Sequence, residues 1–216
     1  NGESLEGILF EAWGLSKTGA LSADVLRQFF YTMSGVTMIM SIILSIRLVA
    51  EERQSNSIIL LNTSPVSDIS IVLGKFLAAL TFLSMILAFS VYMPLLVQAS
   101  GKISNTQILV GYLGLFLLGA AYLAIGLFAS ALTRYQLVAG VLGAAFGGIM
   151  VMFFPLAKNL DPPFSTVIAQ FDAWWGHFER GFMVGVLSLE NIVYYLALTY
   201  FFLLLAVKTM EAKRWQ

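Results

Sequence analysis

Five stretches of this chain are apolar for long enough to cross a lipid bilayer, and that feature decides the fold class. A membrane-spanning helix takes about 20 consecutive, mostly apolar residues. The stretches run from about Phe29 to Ile46, Ile69 to Val97, Ile108 to Leu132, Leu137 to Leu156 and Ile192 to Val207. Each is too long and too unbroken for a strand, and the short alternating segments of an outer-membrane barrel are absent. Composition agrees: 59% of the 216 residues are hydrophobic and only 11% charged, against about 25% charged in a soluble domain. A soluble fold of this size could not hide that much apolar surface. The reading is an all-α integral membrane protein, a polytopic bundle forming one transmembrane domain over residues 1–216.

Other classes fall away on the same numbers. The chain has no cysteine, so it is not a disulfide scaffold, and its 12 basic residues are matched by 12 acidic ones. No global basic field points to nucleic acid as a partner. Orientation follows from basic residues near the span ends. Arg47, Arg53, Lys75, Arg134, Lys208, Lys213 and Arg214 gather on one side, and Lys17, Arg27, Lys102, Lys158 and Arg180 on the other. The first group marks the cytoplasm, which places loop 47–75, turn 133–136 and the C-terminus there.

That topology leaves residue 1 outside, so the expectation is one further helix upstream and six spans in the intact subunit. Residues 1–28 read as an external or interfacial segment. Leu5, Ile8, Leu9, Ala12 and Trp13 share a helical face, with Glu3, Glu6 and Glu11 mostly opposite. This pattern suits either a helix lying in the interface or a plain continuation of an upstream helix.

Loop 47–75 carries the most information. After Glu51-Glu52-Arg53 comes an apolar run, Ser57-Ile58-Ile59-Leu60-Leu61, then Asn62-Thr63-Ser64-Pro65. Pro65 stops a helix, because it lacks an N–H and restricts its predecessor. Ser67 makes a good N-cap, and Asp68 suits the first turn of the next span. A short helix with apolar side chains therefore lies between two spans, where it must dock on the bundle ends or on another protein.

Segment 157–190 is long and rich in aromatics, including Phe171, Trp174, Trp175, Phe178 and Phe182, with His177 among them. Trp174, Trp175 and His177 read as external interfacial residues. The segment forms either short re-entrant helices, which require protein or water to satisfy their backbone, or a loop lying on the headgroups. In the fourth span Gly140, Ala144 and Gly148 form a row four residues apart, a signal for close helix packing.

Catalytic chemistry finds no foothold. No G-x-x-x-x-G-K-[ST] loop occurs, since Gly74-Lys75 precedes Phe76 and Gly101-Lys102 precedes Ile103. One histidine and no cysteine leave no multi-ligand His/Cys metal site, and the spans hold almost no ionisable residues for a proton path. Such a chain, offering an apolar helix to the cytoplasm, implies an external motor.

Three ordered stretches carry a family likeness: Ala50-Glu51-Glu52-Arg53 through Leu60–Ser67 to Ile71–Ala78; Gly111-Tyr112-Leu113-Gly114 through Ala124–Ser130 to Leu132-Thr133-Arg134; and His177-Phe178-Glu179 through Tyr194-Tyr195 to Lys213-Arg214-Trp215. From about Leu26 onward the chain resembles the permease subunits of ABC-2 type transporters, most of all the gliding-motility-associated GldF-type group. The resemblance implies a type V exporter-like permease in the bacterial cytoplasmic membrane, with a second permease, identical or related, and two cytoplasmic ABC ATPase subunits. ATP and Mg would be held by the ATPase partner and none by this chain, which would not itself be an enzyme. Residues Ser57 to Asn62 would be the coupling helix, with Glu51, Glu52 and Arg53 orienting it and Ile58 to Leu61 docking it. Segment 157–190 would match the re-entrant external helices of this architecture. The family commonly has Gly-Thr at Asn56-Ser57, Glu at Ile59 and Arg at Val184, so some contacts of the family differ here. A second reading from another class is a mechanotransmission or assembly component that uses a partner ATPase to act on an external protein.

Overall fold

The computed structural model describes residues 5–54, 67–100, 104–161 and 164–214. In chain order the elements are α1 (Leu5–Gln54), α2 (Asp68–Ser90), α3 (Tyr92–Ser100), α4 (Asn105–Leu132), α5 (Gln136–Ala157), the short α6 (Phe164–Ala169), a π-turn (Trp175–Glu179), a 3₁₀ turn (Phe182–Val184) and α7 (Leu189–Arg214). Among the described residues five stretches are long and apolar enough to cross a membrane: Asp24–Ala50, Asp68–Gln98, Asn105–Leu132, Gln136–Ala157 and Leu189–Lys213. They coincide with the five runs read from the sequence, lengthened by polar residues at their ends.

Two elements go beyond the sequence reading. Segment 1–28, external or interfacial in that reading, is helical from Leu5 and joins the first span as one 50-residue helix. No proline precedes Pro65, and Gly7, Gly14 and Gly19 each weaken a helix by only about 1 kcal/mol. The second span is interrupted at Val91, between α2 and α3. Pro94 has no N–H to offer the Ser90 carbonyl. The chain tightens there, with the Val91 N–H on the Ala88 carbonyl at 3.2 Å and the Ser90 hydroxyl on the Leu87 carbonyl at 2.8 Å.

Helix α4 is the hub. Its apolar window is 78% buried, against 17–33% in the other four spans. Glycine makes this possible by close approach: a methyl on Gly126 would stand 2.6 Å from the Cβ of Ser45 on α1, and one on Gly114 would collide with the Phe182 side chain. The facing side of α1 is a stripe of hydroxyls, Ser34, Thr37, Ser41 and Ser45, at most 2% exposed. Such small residues let α1 lie close to α4, and packing of this kind, rather than apolar burial, drives helix association in lipid.

Helix α5 turns a different row inward from the one singled out in the sequence. Ala139, Gly143 and Gly147 are buried, with Gly147 beneath the Tyr122 ring and its carbonyl accepting from the Tyr122 hydroxyl at 3.1 Å. Gly140 meets only the tip of Ile46, Ala144 is exposed, and a methyl on Gly148 would find nothing within 4 Å. Both rows are small enough to pack closely; within this chain Tyr122 and Ile42 lie against Gly143 and Gly147.

Candidate functional site

At the end where α1 finishes and α2 begins, side chains of three helices reach the backbones of their neighbours. Ser130, fully buried on α4, accepts from the N–H groups of Val49 (3.2 Å) and Ala50 (2.9 Å) and donates to the carbonyl of Ile46 (2.8 Å). Lys75 of α2 donates to the Leu48 carbonyl at 2.5 Å. Lys213 of α7 donates to the carbonyls of Ala131 (3.2 Å) and Leu132 (2.5 Å), where a cation complements the C-terminus of α4. The N-cap expected at Ser67 is present: its hydroxyl accepts from the Ser70 N–H, and Asp68 occupies the first turn of α2.

These contacts frame the predicted coupling segment. Glu51, Glu52 and Arg53 sit on the last turn of α1. Ser57, Ile58, Ile59, Leu60, Leu61 and Pro65 lie outside the described residues, as do the side chains of Glu51, Glu52 and Arg53.

At the opposite end, residues 164–188 fold back into the bundle. Ala173 donates its N–H to the Met150 carbonyl of α5 (3.1 Å) and accepts from the Tyr195 hydroxyl of α7 (2.6 Å). Asp172, buried, accepts through Oδ2 from the N–H groups of Trp174 (3.2 Å) and Gly176 (2.7 Å). The Tyr194 hydroxyl donates to the Phe171 carbonyl at 2.8 Å. Irregular backbone at membrane depth is tolerated where protein satisfies it, and here α5 and α7 supply backbone partners. The Trp174 indole N–H reaches Ser34 of α1 at 2.8 Å, ten residues or roughly 15 Å along the helix from Asp24.

The three aromatic-site residues read as interfacial are thus placed differently from one another. Trp174 is 6% exposed and lies in the core cluster. Trp175 is half-buried and stacks on Phe154. His177 is half-buried, stacked on Tyr194 at 3.9 Å, with Nδ1 2.8 Å from Asn191 Oδ1 and Nε2 3.3 Å from the Gln170 carbonyl. At the rim an Arg27–Glu179 pair (3.3 Å) ties α1 to the π-turn, and Arg180 lies over the Phe154 ring. Asp172 belongs to this connection rather than to a span. Burial pushes its carboxyl up, opposed by the Gly176 and Trp174 N–H groups and by His177.

Sequence reasoning missed Ser130, Asp172 and the hydroxyl stripe. The stripe had a signal: Ser34, Thr37, Ser41 and Ser45 follow helical spacing inside an otherwise apolar run. Ser130 had none, since a lone serine near a helix end is unremarkable. Among the described residues no group of three His, Cys, Asp or Glu side chains gathers to hold a metal.

Residues 9–209 match the family model of the ABC-2 family transporter proteins. No curated protein and no solved structure matches the chain. A match over nearly the whole length, on a helical bundle with five membrane-spanning helices, leads to one conclusion: this multi-pass membrane protein belongs to the ABC-2 transporter family.

Proposed function

We propose that the chain is the permease subunit of an ATP-binding cassette exporter, of the GldF-like kind, in the cytoplasmic membrane of a bacterium. The observation that carries this reading is the family match across all five spans. The apolar run Ile58–Leu61, held between a charged turn and Pro65 in the connection between the first two spans, supports it. In this reading a cytoplasmic ABC ATPase binds ATP and Mg, closes, and displaces the segment Ser57–Leu61. The bundle, paired with a second permease, rearranges and passes a substrate outward. The chain supplies the path and the coupling surface, and the ATPase supplies the chemistry. The end bearing Ser130, Lys75 and Lys213 faces the cytoplasm, in keeping with the excess of basic residues there.

The test is purification of the tagged protein from its native membrane in mild detergent, with mass spectrometry of the chains that accompany it. A stoichiometric P-loop ATPase is the expected result, lost on Leu60→Asp while membrane insertion persists. A folded protein with no ATPase, or a Leu60→Asp variant that retains one, overturns the coupling role.

A further inference from the structure

The backbone of a helix inside a membrane normally satisfies itself, because lipid offers no partner. At the end of α1 it does not act alone. In a regular helix the Ala50 N–H pairs with the Ile46 carbonyl, four residues earlier. Ser130 Oγ stands within hydrogen-bonding distance of both members of that rung, accepting from Ala50 at 2.9 Å and donating to Ile46 at 2.8 Å, and also takes the Val49 N–H. A side chain entering the ladder in this way is a recognised origin of helix bending. The neighbouring Leu48 carbonyl is engaged by Lys75. One residue beyond Ser130, the carbonyls of Ala131 and Leu132 are held by Lys213.

We propose that Ser130 is a positioning residue forming the pivot at which α1 bends during the transport cycle. Its hydroxyl both donates and accepts, so Ile46, Val49 and Ala50 keep partners as the helix flexes. Elsewhere along the span, bending would strand backbone groups in lipid. The close fit at Gly126 against Ser45 keeps α1 attached to α4 just below the pivot. Motion beyond Ala50 therefore enters the bundle through α4 and, by way of Lys213, α7. The inference rests on the permease reading given above.

The chain has no cysteine, so paired spin labels can be introduced without background, at the exposed Val25 and Leu187 of the far end. The complex with its ATPase is compared as native protein, Ser130→Ala and Ser130→Thr. Two quantities are read: the change in label distance on adding a non-hydrolysable ATP analogue, and hydrogen exchange at the Val49 and Ala50 amides. For Ser130→Ala the expected result is exchange at both amides about tenfold faster, continued ATP hydrolysis, and loss of the distance change. Ser130→Thr, which keeps the hydroxyl, restores both. Faster exchange with an undiminished distance change makes Ser130 structural only and overturns the proposal, as does exchange that does not respond. Should Ser130→Ala not fold, the threonine variant decides: protected amides with the response retained support the pivot, and protected amides with the response lost overturn it. A native chain that associates with no ATPase overturns the permease reading and this inference together.

Discussion

Replacing Tyr195 with phenylalanine removes one oxygen and changes almost nothing in shape. That oxygen donates to the Ala173 carbonyl at 2.6 Å, and Tyr195 is completely buried. Without it the carbonyl lies inside the bundle with no donor. Leaving a buried acceptor unsatisfied costs about 1–3 kcal/mol, more than the net value of about 0.5–1.5 kcal/mol for a typical hydrogen bond. Measured interhelical bonds in membranes average about 0.6 kcal/mol, because the open state also finds partners, so the lower half of the range applies, about 1–2 kcal/mol. Each 1.4 kcal/mol is a factor of ten in an equilibrium. Opening of the 170–180 segment should therefore rise by about 5- to 30-fold. Hydrogen exchange of its amides in lipid nanodiscs reads this directly, in the regime where exchange follows the opening equilibrium. The control is the adjacent Tyr194→Phe. Its hydroxyl also meets a backbone carbonyl, that of Phe171, but at a solvent-accessible position, where water replaces it. Its effect should be no more than about threefold. Equal responses from the two variants, or none from Tyr195→Phe, would refute the claim that the bundle itself satisfies this backbone.

Three further outcomes follow from the same geometry. Gly126→Ala drives a methyl against the backbone-anchored Cβ of Ser45 and should destabilise the bundle by about 1–3 kcal/mol, seen as a lower unfolding midpoint in detergent, whereas Gly148→Ala should leave it unchanged. Because burial raises the Asp172 carboxyl, its contribution to stability is complete below the open-chain value of about 3.9 and is lost as pH rises through the raised folded value. Asp172→Asn should abolish that part of the pH slope in thermal unfolding while keeping an oxygen for the Trp174 and Gly176 N–H groups, and an unaltered slope would count against the assignment. Trp174→Phe removes the bond to Ser34 and should loosen the return of segment 164–188, read as faster proteolysis there, while Trp175→Phe should change little.

The spans were legible because lipid demands long apolar runs, and the Ser67 cap because a serine before an acidic first turn has few other uses. Which face of a span turns inward was not. In α5 the rows 139-143-147 and 140-144-148 are equally small, and an apolar helix in lipid carries no amphipathic signature to separate them. The burial of Trp174 was not legible for a related reason. Tryptophan suits both the interface and a buried site offering a hydrogen bond, and only Ser34, 140 residues away, decides between them. The coupling segment remains as the sequence presented it, since Ser57–Pro65 lies outside the described residues.

The hydroxyl stripe on α1 also bears on how the protein is made. Ser34, Thr37, Ser41 and Ser45 lower the tendency of that segment to partition from the translocon into lipid as a lone helix, relative to leucine at the same positions. The residues that let α1 sit against α4 are thus the ones that make its own insertion less favourable. Sheltering by α4, synthesised later, should hold α1 in the membrane, and leucine substitutions along the stripe should improve insertion of the isolated segment while spoiling assembly of the bundle.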